Sequence, residues 1–249
     1  HGRGLVFVCI HMNQRNRLTL RCFFVFRLVI IKVNLKISMT MNNYKNQFFF
    51  AAVAAITLCF TACNNPADNV NEAEVTSATE ESAAPAEGKA FVSTADSRIG
   101  FEGSKVTGSH EGGFETFTAT IVVKDGQLVP NGTSVEIDMD STWSDSDKLT
   151  GHLKNADFFD VPSHPTTTFK TTLIEKADDG YNITGNFNLH GVTKSITFPA
   201  EIQVSETEVK VNAEFFIKRF DFNIEYPGKA DNLIRDEVVI KLNIVAVPS

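Results

Sequence analysis

The fold is decided by residues 181–204, which read YNITGNFNLHGVTKSITFPAEIQV. Apolar and polar side chains alternate on both sides of His190-Gly191, as in strands with one dry face and one solvated face. Gly191 can supply the positive φ that a tight turn needs. The stretch therefore predicts a β-hairpin with a continuous, aromatic-rich apolar wall. The apolar series is Tyr181, Ile183, Gly185, Phe187 and Leu189 before the turn, and Ile196, Phe198, Ala200, Ile202 and Val204 after it.

The same period of two recurs along most of the chain and predicts further strands. Asp125-Gly126 and Asp179-Gly180 have the composition of hairpin turns. The connections are too short for parallel crossovers, which need a dozen or more residues. The sequence therefore predicts an all-β fold, an antiparallel barrel of about eight strands. The further strands are expected within residues 90–94, 98–104, 116–123, 135–139, 169–173, 209–217 and 238–246.

One segment departs from this period. Residues 145–159, DSDKLTGHLKNADFF, place Leu149, Leu153 and Ala156 at helical spacing, and Pro162 ends the pattern. A short helix among strands predicts a plug or lid at one end of the barrel.

Charge divides the chain into two parts. Residues 1–63 hold eight Lys or Arg and no Asp or Glu, which leaves 15 basic and 30 acidic residues, a formal charge of −15, in the remainder. An acidic body lacks the basic patch that displaces phosphate counterions, so nucleic acid is not an expected partner. All four cysteines lie within residues 1–63, which excludes a disulfide framework and a thiolate metal site in the later domain.

The basic part has the organisation of a targeting region. Residues 1–38 mix apolar runs with Arg and Lys and are interpreted as an upstream extension. Residues 39–62 are interpreted as a signal peptide, with a positive start and a short apolar run. Residues 60–63, FTAC, resemble the lipobox of bacterial lipoproteins, which implies cleavage before Cys63 and acylation of that cysteine. The alternative is an ordinary signal peptide with an incidental cysteine.

Residues 63–88 are rich in Ala, Glu, Asn, Ser and Thr and contain no aromatic residue. Such a composition cannot bury enough surface to order itself, so the segment is predicted to be a flexible acidic linker from the lipidated Cys63. The globular domain is predicted to span residues 89–249, which is long enough for a self-sufficient core. The acyl chains would hold this domain at a membrane of the bacterial envelope, facing the periplasm or the cell surface.

No catalytic motif stands out in the domain, and the protein is not expected to be an enzyme. His110, His152, His164 and His190 lie in different segments without the spacing of a metal set. The pattern favours the interpretation that these histidines are turn and cap residues. A metal site at the barrel rim is the alternative. An enzyme that uses His152 or His190 is kept as an alternative that two histidines with shifted pKa values in one pocket would favour.

The inward-facing apolar side chains are the remaining candidates for a site. A small barrel with many phenylalanines is either filled by them or hollow enough for one elongated apolar ligand, and periodicity alone favours neither. A filled barrel would be an interaction scaffold or stress-response protein without a ligand, and would show a dry core and a large exposed apolar patch.

Several motifs of the domain resemble the YceI-like family of periplasmic, polyisoprenoid-binding proteins. The resemblance covers residues 89–247, the whole domain. Lys218 departs from the pattern, because the family commonly has Asp before the Arg. The motifs are HLKNADFFDV at residues 152–161 with His164-Pro165 and Thr168-Phe169 after it, GNFNLHGVTK at 185–194, IKRFDF at 217–222 and IRDEV at 234–238.

The resemblance implies a lipocalin-like antiparallel β-barrel whose apolar tunnel binds, sequesters or transports an isoprenoid or quinone-type lipid. It implies no catalytic residue, no metal and no cofactor other than that lipid. The expected partners are the lipid and, through Cys63, a membrane, and a homodimer is left open. The residues expected to line or cover the tunnel are Ile99, Phe101, Phe117, Ile137, Leu149, Leu153, Phe159, Phe169, Phe187, Leu189, Phe198, Phe215, Ile217 and Phe222.

Overall fold

The computed structural model describes residues 65–80 and 86–249, so the predicted extension, signal peptide and Cys63 lie outside the described residues. Strands make up most of this part of the chain. They are β1 (Asn71–Glu72), β2 (Glu74–Ser77), β3 (Lys89–Ser93), β4 (Arg98–Lys105), β5 (Gly108–Phe114), β6 (Phe117–Lys124), β7 (Gln127–Asp138), β8 (Thr142–Ser144), β9 (Thr166–Ala177), β10 (Gly180–Leu189), β11 (Val192–Val204), β12 (Val209–Lys218), β13 (Gly228–Lys229) and β14 (Asn232–Pro248). The helical elements are α1 (Asp147–Leu153) and the 3₁₀ turns Pro66–Asn69, Met139–Ser141 and Arg219–Phe222.

Hydrogen-bonded neighbours close the sheet into a barrel. Each of the pairs β3–β4, β5–β6 and β7–β8 continues as one long bent strand, and these join β9, β10, β11, β12 and β14 to make eight. β14 closes the ring, because it pairs with β12 along one edge and with β3 and β4 along the other. The pairings around the ring are antiparallel. The predicted antiparallel, lipocalin-like barrel with a short helix is confirmed.

Two hairpins use the turn residues that the sequence pattern indicates. Asp125-Gly126 has φ values of 53° and 74°, and His190-Gly191 has 53° and 75°. Positive φ at both central residues is the type I′ geometry, whose twist matches that of the flanking strands. Asp and His tolerate this conformation better than most residues, and Gly adopts it freely. The second turn sets the register of β10 on β11.

The helix is shorter than the predicted range of residues 145–159, because α1 ends at Leu153. The chain then folds back, and the backbone N–H of Phe159 donates to the carbonyl of Leu153 at 3.0 Å. This compact turn packs Phe158 and Phe159 against the core of the barrel. Burial of these two aromatic rings stabilises the turn in place of a further turn of helix.

The connections between strands define two ends of the barrel. We call the end that carries α1, the His190-Gly191 turn and residues 219–231 the upper end. The lower end carries the turns at residues 125–126, 178–179 and 205–208. Within the described part of the chain, we find no helix with the length and apolar character needed to cross a bilayer.

The prediction of a flexible linker over residues 63–88 is wrong for residues 65–79, which we call the strap. β11 and β12 pair with each other only over residues 201–204 and 209–212, and they separate towards the upper end. The strap fills this gap, because β1 pairs with β12 and β2 pairs with β11. Hydrogen bonding to two open strand edges orders a segment whose composition offers little apolar burial.

Side-chain contacts fix the strap in place. Ala73 is 1% exposed and belongs to the core of the barrel. The side chain of Asn186 accepts a hydrogen bond from the N–H of Thr79 at 2.9 Å and donates one to its carbonyl at 2.7 Å. Lys218 and Glu72 form an ion pair with 2.6 Å between Nζ and Oε1. The lysine that departs from the family pattern thus finds its carboxylate partner in the strap.

Candidate functional site

The barrel encloses a cavity of about 210 Å³, counted as the space that the centres of water-sized molecules can occupy. Voids in protein cores are seldom larger than one water molecule. The barrel is therefore hollow, and the dry, completely filled core of the scaffold alternative is not observed.

Most of the side chains expected at the tunnel do border the cavity. Phe117, Leu149 and Phe222 are the three that do not. The eleven that line it are Ile99, Phe101, Ile137, Leu153, Phe159, Phe169, Phe187, Leu189, Phe198, Phe215 and Ile217.

The other three residues pack around the cavity instead of facing it. Phe222 has no exposed surface and meets the ring of Phe187 edge-on, with 5.3 Å between centroids. Phe117 opens β6 opposite Ile137, and Leu149 lies on α1, and both pack against the core from its margin. Alternation places a side chain on the inner face but does not say how far the cavity extends along the barrel.

The cavity is long and narrow. On β12 its lining runs from Val211 to Ile217 and continues to Arg219 just beyond the strand, a rise of about 26 Å along the chain. Since barrel strands tilt by about 40°, this corresponds to roughly 20 Å of the barrel axis. Averaged over that length, the volume corresponds to a cross-section of about 10 Å² for atom centres, so the cavity is narrow.

Two glycines allow aromatic rings to lie close against the inner wall. A Cβ on Gly185 would lie 2.5 Å from Cζ of Phe169, and a Cβ on Gly112 would lie 2.4 Å from Cζ of Phe101. Both distances are far below a carbon–carbon contact, so any side chain there would displace the ring. Beside Phe169 and Phe101, the width of the cavity therefore depends on the absence of a side chain at Gly185 and Gly112.

Aromatic stacking closes the inner side of the wall where β11 and β12 separate. Phe198 of β11 and Phe215 of β12 stack with 4.1 Å between centroids and 14° between ring planes. Ala73 and Val75 of the strap pack against the same core. The strap is thus a part of the wall that surrounds the cavity.

A buried positive charge lies at the upper end of this apolar lining. Arg219 is 4% exposed, and its Nε donates to the carbonyl of Arg235 at 2.9 Å. Its Nη1 and Nη2 donate to the carbonyls of Ile224 at 2.5 Å and Ile234 at 3.3 Å. Burial lowers the pKa of Arg219, and the charge of Asp236 opposes that shift. A guanidinium stays protonated in proteins, so the cavity ends beside a cation that is bound by carbonyl oxygens.

Arg235 is the second charged residue of the lining. Its Nε is buried without a hydrogen-bond partner among residues 65–80 and 86–249. Leaving a buried donor unpaired costs about 1–3 kcal/mol. An acceptor atom of a bound molecule at the upper end would remove that cost.

Sequence reasoning missed part of the lining. Phe158 and Ile224 lie in connections, where alternation assigns no inward phase. Arg219 and Arg235 lie within the quoted family motifs, but each has a charged neighbour, Lys218 or Asp236, so no local pattern marks either one as buried.

No histidine of the described residues lines the cavity. His110 and His152 each pair with a carboxylate near the surface. His164 and His190, far apart in sequence, meet edge-on with 4.9 Å between ring centroids. The structure therefore brings two of the four histidines together, but outside the cavity.

Comparison with known sequences places this barrel among relatives. The family model described as the YceI-like domain matches residues 92–246. A UPF0312 protein of Pectobacterium atrosepticum is 33% identical over 119 residues, and protein YceI of Salmonella arizonae is 31% identical over 119 residues. Each match covers 45% of this chain and 62% of the relative. The chain thus spans less than two thirds of the length of these curated relatives.

Two solved structures share the fold. BcnA of Burkholderia cenocepacia has a TM-score of 0.56 at 24% identity, covering 61% of this chain and 98% of that one. A polyisoprenoid binding domain from Saccharophagus degradans has a TM-score of 0.53 at 17% identity, covering 66% of this chain and all of that one. At these identities the likeness concerns the fold. The family model spans more than half of the chain, and the protein therefore belongs to the YceI-like domain family.

Proposed function

We propose that the barrel binds the long apolar tail of one isoprenoid-type lipid, a quinone or a polyprenyl lipid. The observation that carries the proposal is the narrow cavity, which is bordered almost entirely by apolar side chains. The polyisoprenoid binding domain from Saccharophagus degradans, which has the same fold, supports this ligand class. The proposed role is sequestration or transport of the lipid in the bacterial envelope, without catalysis.

Apolar burial alone is sufficient to hold such a tail. Each methylene removed from water gains about 0.8 kcal/mol. A tail that occupies roughly 20 Å of the barrel axis buries enough such groups to exceed the entropy lost on binding. Because width and length select the tail, we expect isoprenoid lipids of similar length to compete for the cavity.

The two arginines give the proposed lipid an orientation. The charge of Arg219 and the unpaired Nε of Arg235 favour an oxygen acceptor, the carbonyl of a quinone or the phosphate of a polyprenyl lipid. Ile174, Ile202 and Val211 line the cavity towards the lower end. These residues support an orientation with the head group at the upper end and the tail directed to the lower end.

We also propose that acylated Cys63 holds the upper end at a membrane. Asn65 is buried, and its Oδ1 lies 3.4 Å from Oγ of Ser104, near the upper end of β4. Two residues span at most about 7 Å, so an anchor at Cys63 leaves almost no free linker. The upper end also exposes three large apolar side chains, Val106, Phe220 and Leu233. A lipid would then pass between bilayer and cavity with little exposure to water.

Lipid extraction tests the ligand. Protein purified from membranes of its native host is extracted with organic solvent and analysed by mass spectrometry. About one isoprenoid lipid per barrel is expected, because a single narrow cavity admits one tail. Val135→Phe adds a ring to the lining and is expected to lower the yield of lipid several-fold. Glu136→Phe adds the same ring to the exposed face of the same strand and serves as the matched control. A folded wild-type protein without lipid would contradict the proposal.

The anchor is tested separately. Mass spectrometry of the N-terminal peptide is expected to show an acylated Cys63, and Cys63→Ser is expected to move the protein to the soluble fraction. Retention of the variant on membranes, or an unmodified cysteine in the wild type, would reject the anchor and leave the lipid proposal standing.

A further inference from the structure

A cluster of metal-ligating side chains lies outside the cavity. Asp160, His164 and His190 each offer one ligand atom, and these atoms lie within 4.8 Å of one another at half-buried positions. Asp160 and His164 belong to the connection between α1 and β9, whereas His190 belongs to the turn between β10 and β11. None of the three lines the cavity, so the cluster is separate from the proposed lipid site.

Local backbone structure brings these side chains together. The N–H of His164 donates to the carbonyl of Asp160 at 2.8 Å, and the φ of Asp160 is 44°, so a tight turn holds the two residues close together. Nδ1 of His190 lies 3.2 Å from the carbonyl oxygen of Phe222. Because a carbonyl only accepts, Nδ1 is the donor, and in the neutral imidazole Nε2 then has a free lone pair for a metal. Histidines that bind metals are usually oriented by such a bond at the other ring nitrogen.

Gly191 makes room for the second imidazole. A Cβ at this position would lie 2.6 Å from Cε1 and 3.0 Å from Nδ1 of His164. The φ of Gly191 is 75°, which a residue with a side chain rarely adopts. Both the turn and the contact therefore depend on this glycine.

We propose that Asp160, His164 and His190 bind one divalent transition-metal ion of the Zn²⁺ class, with water completing the coordination. One carboxylate and two imidazoles are a donor set typical of such ions. Ligand atoms of a tetrahedral zinc ion lie about 3.4 Å apart, so the side chains close around the ion with movements of about 1 Å.

The ion would connect three parts of the upper end. It joins the α1–β9 connection to the β10–β11 turn, and the bond from His190 extends the link to Phe222 beside the cavity. A ligand that binds only the folded state stabilises it in proportion to its affinity and concentration. Zinc is therefore expected to make the upper end more resistant to unfolding.

Metal titration tests the site. Protein purified from its host, without a polyhistidine tag, is stripped with a chelator and titrated with Zn²⁺ by calorimetry, and Tm is recorded with and without the ion. We expect one equivalent of Zn²⁺ to bind and Tm to rise. His190→Asn keeps an Asn-Gly pair suited to the type I′ turn, and His164→Gln keeps a polar side chain. Each is expected to weaken binding by at least about tenfold and to abolish the rise in Tm.

Two other histidines provide matched controls. His110 lies 2.8 Å from Asp145 and His152 lies 3.1 Å from Asp157, so each is a histidine–carboxylate pair without a second imidazole. His110→Gln and His152→Gln are expected to bind Zn²⁺ as the wild type does. Absence of stoichiometric binding to the folded wild type, or equal binding by the His164→Gln, His190→Asn double variant, would overturn the proposal.

Discussion

The hairpin of residues 181–204 and the strap lie side by side in one wall, but different forces hold them there. Ile183, Ile196 and Phe198 of the hairpin are 6%, 3% and 4% exposed, so burial of large side chains stabilises it. The strap adds only small apolar side chains, with Ala67 and Ala73 buried and Val75 packed against the core, and it is held by backbone pairing and polar contacts. An open strand edge can thus order a segment that composition alone predicts to be flexible.

The largest effect is expected where burial of large apolar side chains stabilises the wall. Phe215→Asp removes a ring that is 3% exposed and stacked on Phe198, and it buries a carboxylate in its place. We expect a loss of at least about 4 kcal/mol in the free energy of unfolding, measured by urea titration, and no lipid in the purified protein. The control is Phe216→Asp, since adjacent side chains of a strand point to opposite faces. An equal loss in both variants would contradict the assignment of inner and outer faces.

A smaller effect is expected where a polar contact holds the strap. Asn186 is 5% exposed, and both of its hydrogen bonds go to the backbone of Thr79. Asn186→Ala is expected to cost about 1–3 kcal/mol and to speed hydrogen exchange in residues 71–79. Asn188→Ala is the control, because that side chain bonds only to Thr193 within the hairpin. Unchanged exchange in the strap of the Asn186 variant would show that backbone pairing alone holds it.

Most of the barrel could be predicted because strands with one buried face show their period directly. The Asp125-Gly126 and His190-Gly191 turns were predicted from residue type, and the φ values agree. The inner phase also identified most of the cavity lining. What alternation could not give was the extent of the cavity, so Phe117 and Phe222 were expected at a surface that they do not reach.

Other features needed the fold to be known. The strap has a short alternation in which Ala73 and Val75 face inward, but two small apolar residues give too weak a signal against an acidic background. His164 and His190 are brought together by a hairpin turn and a connection that are distant in sequence. Contacts of this kind depend on topology, which a local pattern does not contain.

An ion pair within the barrel wall provides a reference for the ion pair that attaches the strap. Lys241 lies 2.9 Å from Glu102 and 3.3 Å from Glu111 across β14, β4 and β5. Burial raises the pKa of Glu102, but hydrogen bonds from Lys241 and Ser109 outweigh it and hold that pKa below its usual value. The carboxylate therefore stabilises the fold above its unfolded pKa, and this stability is lost as the pH falls through the folded value.

A double-mutant cycle measures this pair. Glu102→Gln and Lys241→Met at neutral pH are expected to show a coupling of up to about 1 kcal/mol, since the lysine is partly exposed. The coupling should begin to fade below about pH 4.3, the ordinary pKa of a glutamate. A coupling that stays constant down to pH 2 would mean that the carboxylate contributes through its shape and not its charge.

The smallest expected effect concerns the ion pair that attaches the strap. The side chain of Glu72 is 51% exposed, whereas that of Glu102 is 17% exposed, so solvent screens the strap pair more strongly. The hydrogen bond to Glu72 and the charge of that carboxylate raise the pKa of Lys218. The stability that this ion pair adds is therefore present below about pH 10.4 and is lost as the pH rises through the folded pKa of Lys218. We expect a coupling of about 0.3 kcal/mol between Glu72→Gln and Lys218→Met, reduced further by salt. A coupling larger than that of Glu102 and Lys241 would show that charge, and not the pairing of strand edges, holds the strap to the barrel.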